Sequence, residues 1–357
     1  MKGVILHGGN GTRLRPFTYS DVKQLLPVAG KPISEYALEN LIEIGIREIN
    51  IVVGHVGGEE VKKYYGDGSK WGVNITYTYQ EKASGIAHAI GLTKDFVKED
   101  SFVVFLADNF VQDGISKLYN HFMSGRFDGM LALIHVDNPT QFGVAEIGND
   151  GEVIRLAEKP QIPKSDLAIV GVYFLTHSIF RYIHELKPSG RGEYEITDAY
   201  QKMIESNLKV SHSIISGWFK DTGTVADFLE CNRLVLDKLP EGTGNYTGSK
   251  NIHGRVRIDK SATISEDTTV LGPCYIGSET VIENSYIGPF TSIGSGCRVR
   301  NAEIGNTVIM DGAELVFDER YHLRESMVGS KAKIRSNSGN SKTIRAVLGR
   351  DSNVEVS

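Results

Sequence analysis

Short apolar runs alternate with amphipathic stretches through the first two thirds of the chain. Residues 4–6, 49–53, 75–79, 102–106 and 130–136 are rich in branched and aromatic side chains and read as strands. Between them, residues 34–44, 59–65, 86–93 and 115–122 carry apolar positions at helical spacing. That alternation predicts an α/β fold with a mostly parallel, Rossmann-like sheet covered by helices, whose ligands gather at the carboxyl ends of the strands. Residues 144–147, 153–157 and 169–175 are further strands, read as insertions that build a substrate wall.

Beyond residue 240 the period changes. Ile252, Ile258, Ile264, Val270, Ile276 and Ile282 recur every six residues, and Ile287, Ile293, Val299 and Ile304 continue at five or six. This hexapeptide pattern predicts a parallel β-helix. Each short strand turns a corner of a triangular prism and buries one branched side chain on the axis, so a repeat excludes water only when stacked on its neighbours. The regularity fades from Leu315 to Arg324, and no period is assigned after Lys331. Glu241-Gly242-Thr243-Gly244-Asn245, with Thr247-Gly248-Ser249, reads as a linker and divides the chain into domains 1–240 and 241–357.

Composition narrows the partners. A chain of 357 residues exceeds what one core usually holds, in keeping with two domains. With 40% hydrophobic and 23% charged residues, a net charge of −5 and a pI near 6.1, it offers no electrostatic attraction to nucleic acid or an anionic membrane, and neither is expected as a partner. The longest apolar run, residues 102–107, is far shorter than the ~20 residues that span a bilayer. The amino terminus lacks a signal peptide's apolar region, so a cytoplasmic location is expected. Cys231, Cys274 and Cys297 are widely spaced and form no Cys-x-x-Cys pair, which suits buried thiols. The flat faces of a stacked coil suit subunit contact, and a homo-oligomer is expected.

The densest chemistry follows the first strand. Gly8-Gly9-Asn10-Gly11-Thr12-Arg13-Leu14 leads into Lys23-Gln24-Leu25-Leu26-Pro27. The glycines let backbone N–H groups approach a phosphate chain, and Arg13 and Lys23 can neutralise it. The third glycine of a dinucleotide fingerprint is missing, and so is the Gly-Lys-Ser/Thr of a Walker loop. A nucleoside triphosphate is the expected ligand, with a plain strand-to-helix turn as the alternative. Asp108 follows strand 102–106, where a carboxylate can reach a phosphate-bound Mg²⁺ or cap a turn. Asp221, in Trp218-Phe219-Lys220-Asp221-Thr222-Gly223-Thr224, precedes a helix at 224–236 and is a second carboxylate for the same cation. Gln80, at a strand end near Ala83-Ser84-Gly85, either faces solvent or reads a base by accepting from N3–H and donating to O4 of uracil or thymine.

From Lys2 to Pro32, and then along the whole chain in order, these motifs resemble the sugar nucleotidyltransferases, specifically the long-form glucose-1-phosphate thymidylyltransferases. The resemblance implies that Leu6, Gly8, Gly9, Gly11, Thr12, Arg13, Lys23, Gln24, Gln80, Gly85 and Asp108 hold the nucleotide, with Gln80 as base reader. It implies a sugar-phosphate site at Gly143, Glu158, Lys159, Ile169, Val170, Gly171 and Tyr173, with Lys159 orienting the attacking phosphate. It places Mg²⁺ on Asp108 and Asp221. The segment Arg191 to Asp198 also matches, its acidic groups lining the sugar pocket or capping the next helix; Thr197 or Asp198 is read here as the cap. Left-handedness of the coil is likewise implied by resemblance to hexapeptide-repeat proteins.

The implied reaction joins dTTP and glucose 1-phosphate into dTDP-glucose and pyrophosphate, with Arg13, Lys23, Asp108, Lys159 and Asp221 as the catalytic set. Rival readings are a UTP-dependent transferase acting on glucose 1-phosphate or N-acetylglucosamine 1-phosphate, and an added acetyltransferase in the coil with His253 or His322 as base. A silent regulatory subunit is a further rival, against which the joint presence of Arg13, Lys23, Asp108 and Asp221 argues. His7 stands where the family has a small residue, and Ala107 where it has glycine; the imidazole beside the phosphate loop could alter nucleotide placement or contribute a hydrogen bond, while Ala107 matters only if the backbone there has positive φ.

Overall fold

A computed structural model describes residues 1–9, 11–242, 251–336 and 343–356. Two compact units emerge, Met1–Gly9 with Ser34–Asp221, and Asn10–Ile33 with Thr222–Ser357.

The first unit is built on a nine-stranded sheet. Its main path runs Val153–Glu158, Gly143–Ile147, Leu167–Leu175, Phe102–Leu106, Lys2–His7, Glu48–Gly54, Asn74–Gln80. The last four are mutually parallel, joined by helices Ile33–Glu43, Gly58–Tyr65 and Ile86–Gly91, as the alternating pattern requires. Leu167–Leu175 pairs antiparallel with Phe102–Leu106, Gly143–Ile147 and Gly129–His135, and Val210–Ile214 adds in parallel to Gly129–His135. The reading of residues 144–175 as insertions is therefore corrected. Leu167–Leu175 pairs directly with Phe102–Leu106 and is buried along its whole length, so it belongs to the sheet's interior. Its continuous apolar run reflects burial on both faces and marks a strand without showing which strands flank it. Val4, Val104, Leu131, Leu175 and Tyr200 form the core here, with Phe102 stacked on Phe180 at 5.6 Å.

The second unit contains the coil. Ile252 pairs with Val270, Ile258 with Ile276 and Ile264 with Ile282, each eighteen residues on, so one turn is three hexapeptides. Val270, Ile276, Ile282, Ile287, Ile293, Val299 and Ile304 are fully buried in a single column system. All described pairings in it are parallel, the geometry of a β-helix. The irregular stretch is one long strand, Glu314–Arg324, in which Phe317 and Tyr321 stack at 4.8 Å inside the coil. Aromatic filling replaces the isoleucine there, which is why the period fades. Beyond Lys331 the coil continues: Lys333–Ser336, Thr343–Ile344, Val347–Leu348 and Asn353–Val356 each pair with the turn before. Of the expected linker, Gly242 bridges to Arg255, while Thr243, Gly244, Asn245, Thr247, Gly248 and Ser249 lie outside the described residues. Helix Val225–Leu236 opens on a capping box between Thr224 and Asp227, satisfying two backbone donors. Among the described residues no helix is long and apolar enough to cross a membrane.

Candidate active site

In the first unit the strand ends carry the expected groups. Lys2–His7 and Phe102–Leu106 run in parallel, so Gly8 and Asp108 follow neighbouring strand tips. Asn109–Val111 then pairs antiparallel with Phe219–Asp221, with Asp221 opposite Asn109. Two aspartates 113 positions apart in sequence are thereby brought to adjacent places on a two-stranded ribbon. Asn109 is buried: its Nδ2 donates to Asp108 Oδ1 at 2.9 Å, and its Oδ1 accepts from the Gly171 N–H at 3.1 Å. Gly171 is required, because a Cβ would collide with Asn109 and Leu106.

Gln80 is 5% exposed and does not face solvent. Its Nε2 donates to the Gly85 carbonyl at 3.3 Å and meets His88 Nδ1 at 2.9 Å. Both amide hydrogens are engaged inside the protein, and Oε1 lies on the side of Gly8. Gly85 has φ +105°, and a Cβ would sit 2.5 Å from the Tyr194 carbonyl oxygen. The Ala87 N–H bonds that carbonyl at 3.1 Å, and the Tyr194 N–H bonds the Ser84 carbonyl at 2.8 Å, fixing the turn beneath Gln80.

A cavity of about 140 Å³ lies wholly within this unit, and Asn109, Gly143, Glu158, Lys159, Tyr173 and Asp221 are among its walls. Ile169 and Gly171 also line it; Val170 is fully buried outside the lining. Burial raises the Glu158 carboxyl above its usual range, reinforced by Glu195. Arg191 offsets this with its guanidinium 3.7 Å from Glu158, 2.8 Å from Glu193 and 3.3 Å from Glu195. Thr197 and Asp198 are not helix caps. The cap of helix Ile196–Glu205 is Glu195, in extended conformation and without a side-chain cap bond. Thr197 lies in the first turn and its hydroxyl donates to Glu158 at 3.4 Å, while Asp198 faces the positive end of the helix dipole.

His7 lies at the end of the first strand. It is buried, both ring nitrogens lack a hydrogen-bond partner, and burial pushes its pKa down to about 3 against the opposing field of Asp108. It adds no hydrogen bond within the protein. Its ring packs edge-on against Tyr65 at 5.9 Å. Leu6 is buried at the end of the same strand.

The second unit holds the remaining loop. Gly11 has φ +56°, and its carbonyl accepts from Thr18 Oγ1 at 2.7 Å. A Cβ on Gly11 would lie 2.7 Å from Thr18 and 3.2 Å from Lys23. A single helical turn, Thr12–Leu14, buries Leu14 and leaves Thr12 and Arg13 exposed, and the Arg13 guanidinium lies 3.0 Å from where a Gly223 side chain would begin. Lys23 and Gln24 are buried in the turn Lys23–Leu25. Thus Gly8, Gly9, Gln80, Gly85, Asp108, Asp221 and the sugar-side residues belong to the first unit, and Gly11, Thr12, Arg13, Lys23 and Gln24 to the second.

A family model described as nucleotidyl transferase matches residues 2–238. The chain belongs to the nucleotidyl transferase family. It is 40% identical over its full length to a glucose-1-phosphate thymidylyltransferase of Streptomyces antibioticus, covering 99% of that protein. It is 42% identical to the low-salt glycan biosynthesis nucleotidyltransferase Agl11 of Haloferax volcanii, over 94% of both chains. A crystal structure from Bacillus anthracis, assigned as a glucose-1-phosphate thymidylyltransferase and complexed with sucrose, superposes with a TM-score of 0.63 at 40% identity. It covers 68% of this chain and 98% of that one.

Nucleotidyl transferases of this family work with a divalent metal. Among the described residues no cluster of three or more His, Cys, Asp or Glu forms a self-sufficient metal site. Asp108 and Asp221, hard oxygen donors at adjacent ribbon positions, fit a cation whose other ligands are phosphate and water oxygens. Sequence reasoning missed Asn109 and His88. Asn109 was findable as a polar residue inside a strand pair. His88 shows in sequence only as a histidine on a helix whose other side is apolar.

Proposed function

We propose that this nucleotidyl transferase joins dTTP to glucose 1-phosphate, giving dTDP-glucose and pyrophosphate. The observation that carries the reading is the cavity of the first unit, whose walls include Asp221 and Asn109 together with Glu158 and Lys159. A metal-holding carboxylate and a phosphate-pairing lysine around one small space suit transfer between two phosphates. Full-length similarity to a thymidylyltransferase supports the choice of substrates. Residues 1–240 form the catalytic domain and 241–357 the β-helix domain.

A phosphate oxygen of glucose 1-phosphate attacks the α-phosphorus of dTTP, and the bond to the β-phosphate oxygen breaks. The nucleophile is already ionised, so no general base is needed; charge and alignment are the difficulty. Lys159 pairs with the sugar's phosphate, and Glu158 accepts from sugar hydroxyls. Arg13 and Lys23 neutralise the departing pyrophosphate, with Gly8, Gly9, Gly11 and Thr12 around the phosphate chain. Asp108 and Asp221 hold Mg²⁺, which supplies charge neutralisation to the triphosphate. Gln80 Oε1 accepts from thymine N3–H, a hydrogen that cytosine lacks, while Gly85 leaves room for the nucleoside and Gln24 approaches its sugar. Thymine and uracil share that edge, so UTP is a weaker alternative substrate. The β-helix supports a homo-oligomer.

The test is pyrophosphate release across dTTP, UTP, ATP, GTP and CTP, each with glucose 1-phosphate and N-acetylglucosamine 1-phosphate. The reading expects dTTP with glucose 1-phosphate to be fastest and Asp108→Asn and Asp221→Asn to be nearly inactive yet folded. Silence throughout would favour a regulatory subunit, and acetyl-CoA consumption lost in His253→Ala or His322→Ala would favour a second activity in the coil.

A further inference from the structure

We propose that the β-helix positions the loop bearing Arg13 and Lys23, with Asn232 as the positioning residue; the inference rests on reading those cations as triphosphate ligands. Every observation behind it falls within the second unit. Pro27 and Val28 pair with Pro32 and Lys31 in a small hairpin whose tip is Ala29, φ 49°, and Gly30, φ 80°. The tip is held from two sides. The Ala29 N–H donates to Asn232 Oδ1 at 2.9 Å. The same oxygen accepts from Ser292 Oγ at 2.7 Å, and Asn232 Nδ2 donates to the Phe290 carbonyl at 3.1 Å. Asn232 is fully buried on helix Val225–Leu236, whereas Ser292 lies on coil strand Thr291–Ile293 and Phe290 just before it. Gly30 packs on the ring of Tyr275, in coil strand Cys274–Ile276, leaving no room for a Cβ.

Two more contacts hold the loop nearer its start. Asp21 is ion-paired with Arg350, and a Cβ at Gly349 would lie 3.2 Å from the Pro16 carbonyl oxygen. The coil therefore meets the loop at residues 16, 21 and 29–30. The first of these points lies three residues after Arg13, and Lys23 falls between the second and the third.

Residues 11–32 contain only single helical turns and two-residue strands, so little inside the loop fixes its shape. Such a segment keeps a productive geometry only when a rigid element holds it. The coil is suited to that, because its axis is a continuous column of buried branched side chains. Asn232 satisfies the hairpin and the coil with one amide, so a shift of either is transmitted to the other. On this account the β-helix contributes to triphosphate binding as well as to assembly.

The test is steady-state kinetics of the full-length chain with dTTP and glucose 1-phosphate, with thermal unfolding measured on the same samples. Asn232→Ala removes three buried bonds, and the KM for dTTP is expected to rise about tenfold while that for glucose 1-phosphate stays within about twofold. Ser292→Ala, which removes only the coil-side donor, should raise the dTTP KM about threefold, and Ser292→Thr should restore it. Should Asn232→Ala fail to fold, Arg350→Ala, which removes the coil's ion pair to Asp21, decides, with the same split expected at smaller size. Folded variants with unchanged constants, or with both KM values and kcat altered together, would overturn the inference. Arg13→Ala and Lys23→Ala serve as the control. If they too leave the dTTP KM unchanged, the triphosphate reading falls with it; if they raise it while the anchor variants do not, only the positioning role of the coil falls.

Discussion

Replacing Asn109 separates packing from catalysis. The strand Leu167–Leu175 shifts register between Ile169 and Tyr173, and there the buried Gly171 N–H donates to Asn109 Oδ1 at 3.1 Å. Asn109→Ala strands that donor, at about 1–3 kcal/mol, and empties the amide's volume, for a total of about 2–4 kcal/mol. For a unit of this size that lowers Tm by roughly 5–15 °C. Asn109→Asp keeps the acceptor and the volume but sets a second carboxylate where Nδ2 now lies, 2.9 Å from Asp108 Oδ1. Two carboxylates so close cannot both ionise near neutrality, so one retains a proton and metal binding weakens. The expected result is a smaller loss of Tm than in the alanine variant with a loss of turnover of about tenfold or more, recovering as pH rises. Differential scanning calorimetry and pyrophosphate release over roughly pH 6–9 measure the two effects. Wild-type turnover and pH profile in Asn109→Asp would refute the claim that this amide orients Asp108.

Other substitutions test separate parts of the account. His7 is held near a pKa of about 3 when folded against about 6.5 unfolded, so its contribution is fully present above about pH 6.5 and lost as pH falls toward 3. Urea titrations of wild type and His7→Ala should therefore differ in slope with pH, the wild type losing about 3 kcal/mol more by about pH 4.5, and parallel slopes would refute this. Gly85→Ala meets Tyr194 backbone atoms at 2.5 and 2.7 Å and should cost several-fold more stability than Gly45→Ala, which shares a positive φ but has open space and should cost about 1 kcal/mol. Equal Tm losses would contradict it. Ile287→Ala, at a fully buried coil position, should cost about 2–5 kcal/mol in chemical denaturation of the coil.

The elements most legible in the sequence were those whose periodicity reports one buried face. The hexapeptide register of Ile252 to Ile304 was of this kind, while the parallel strands Lys2–His7, Glu48–Gly54 and Phe102–Leu106, buried on both faces, showed as short apolar runs set off by the helical patterns between them. Leu167–Leu175 was legible as a strand but not as a neighbour of Phe102–Leu106, because a continuous apolar run does not say which strands flank it. The pairing of Phe219–Asp221 with Asn109–Val111 joins positions more than a hundred residues apart, and no local spacing announces it. Resemblance could name Asp108 and Asp221, yet it gave no sign of the Asn109 amide beside Asp108. Likewise, Gln80 could be named from its strand end, but its engaged Nε2 depends on His88 and the Gly85 carbonyl. The cap of helix Ile196–Glu205 was misread because Thr197, a good capping residue type, instead turns toward Glu158.

Phosphorus NMR of the purified chain with dTTP, glucose 1-phosphate and Mg²⁺ tests the central claim most directly. The account predicts that the glucose 1-phosphate and triphosphate resonances decline together as inorganic pyrophosphate and the two coupled phosphorus signals of a nucleotide-linked diphosphate appear in equal amounts. Asp108→Asn should abolish all four changes. Loss of dTTP to dTDP and inorganic phosphate with glucose 1-phosphate unconsumed, or a mixture unchanged after prolonged incubation with folded protein, would contradict nucleotidyl transfer to this sugar phosphate.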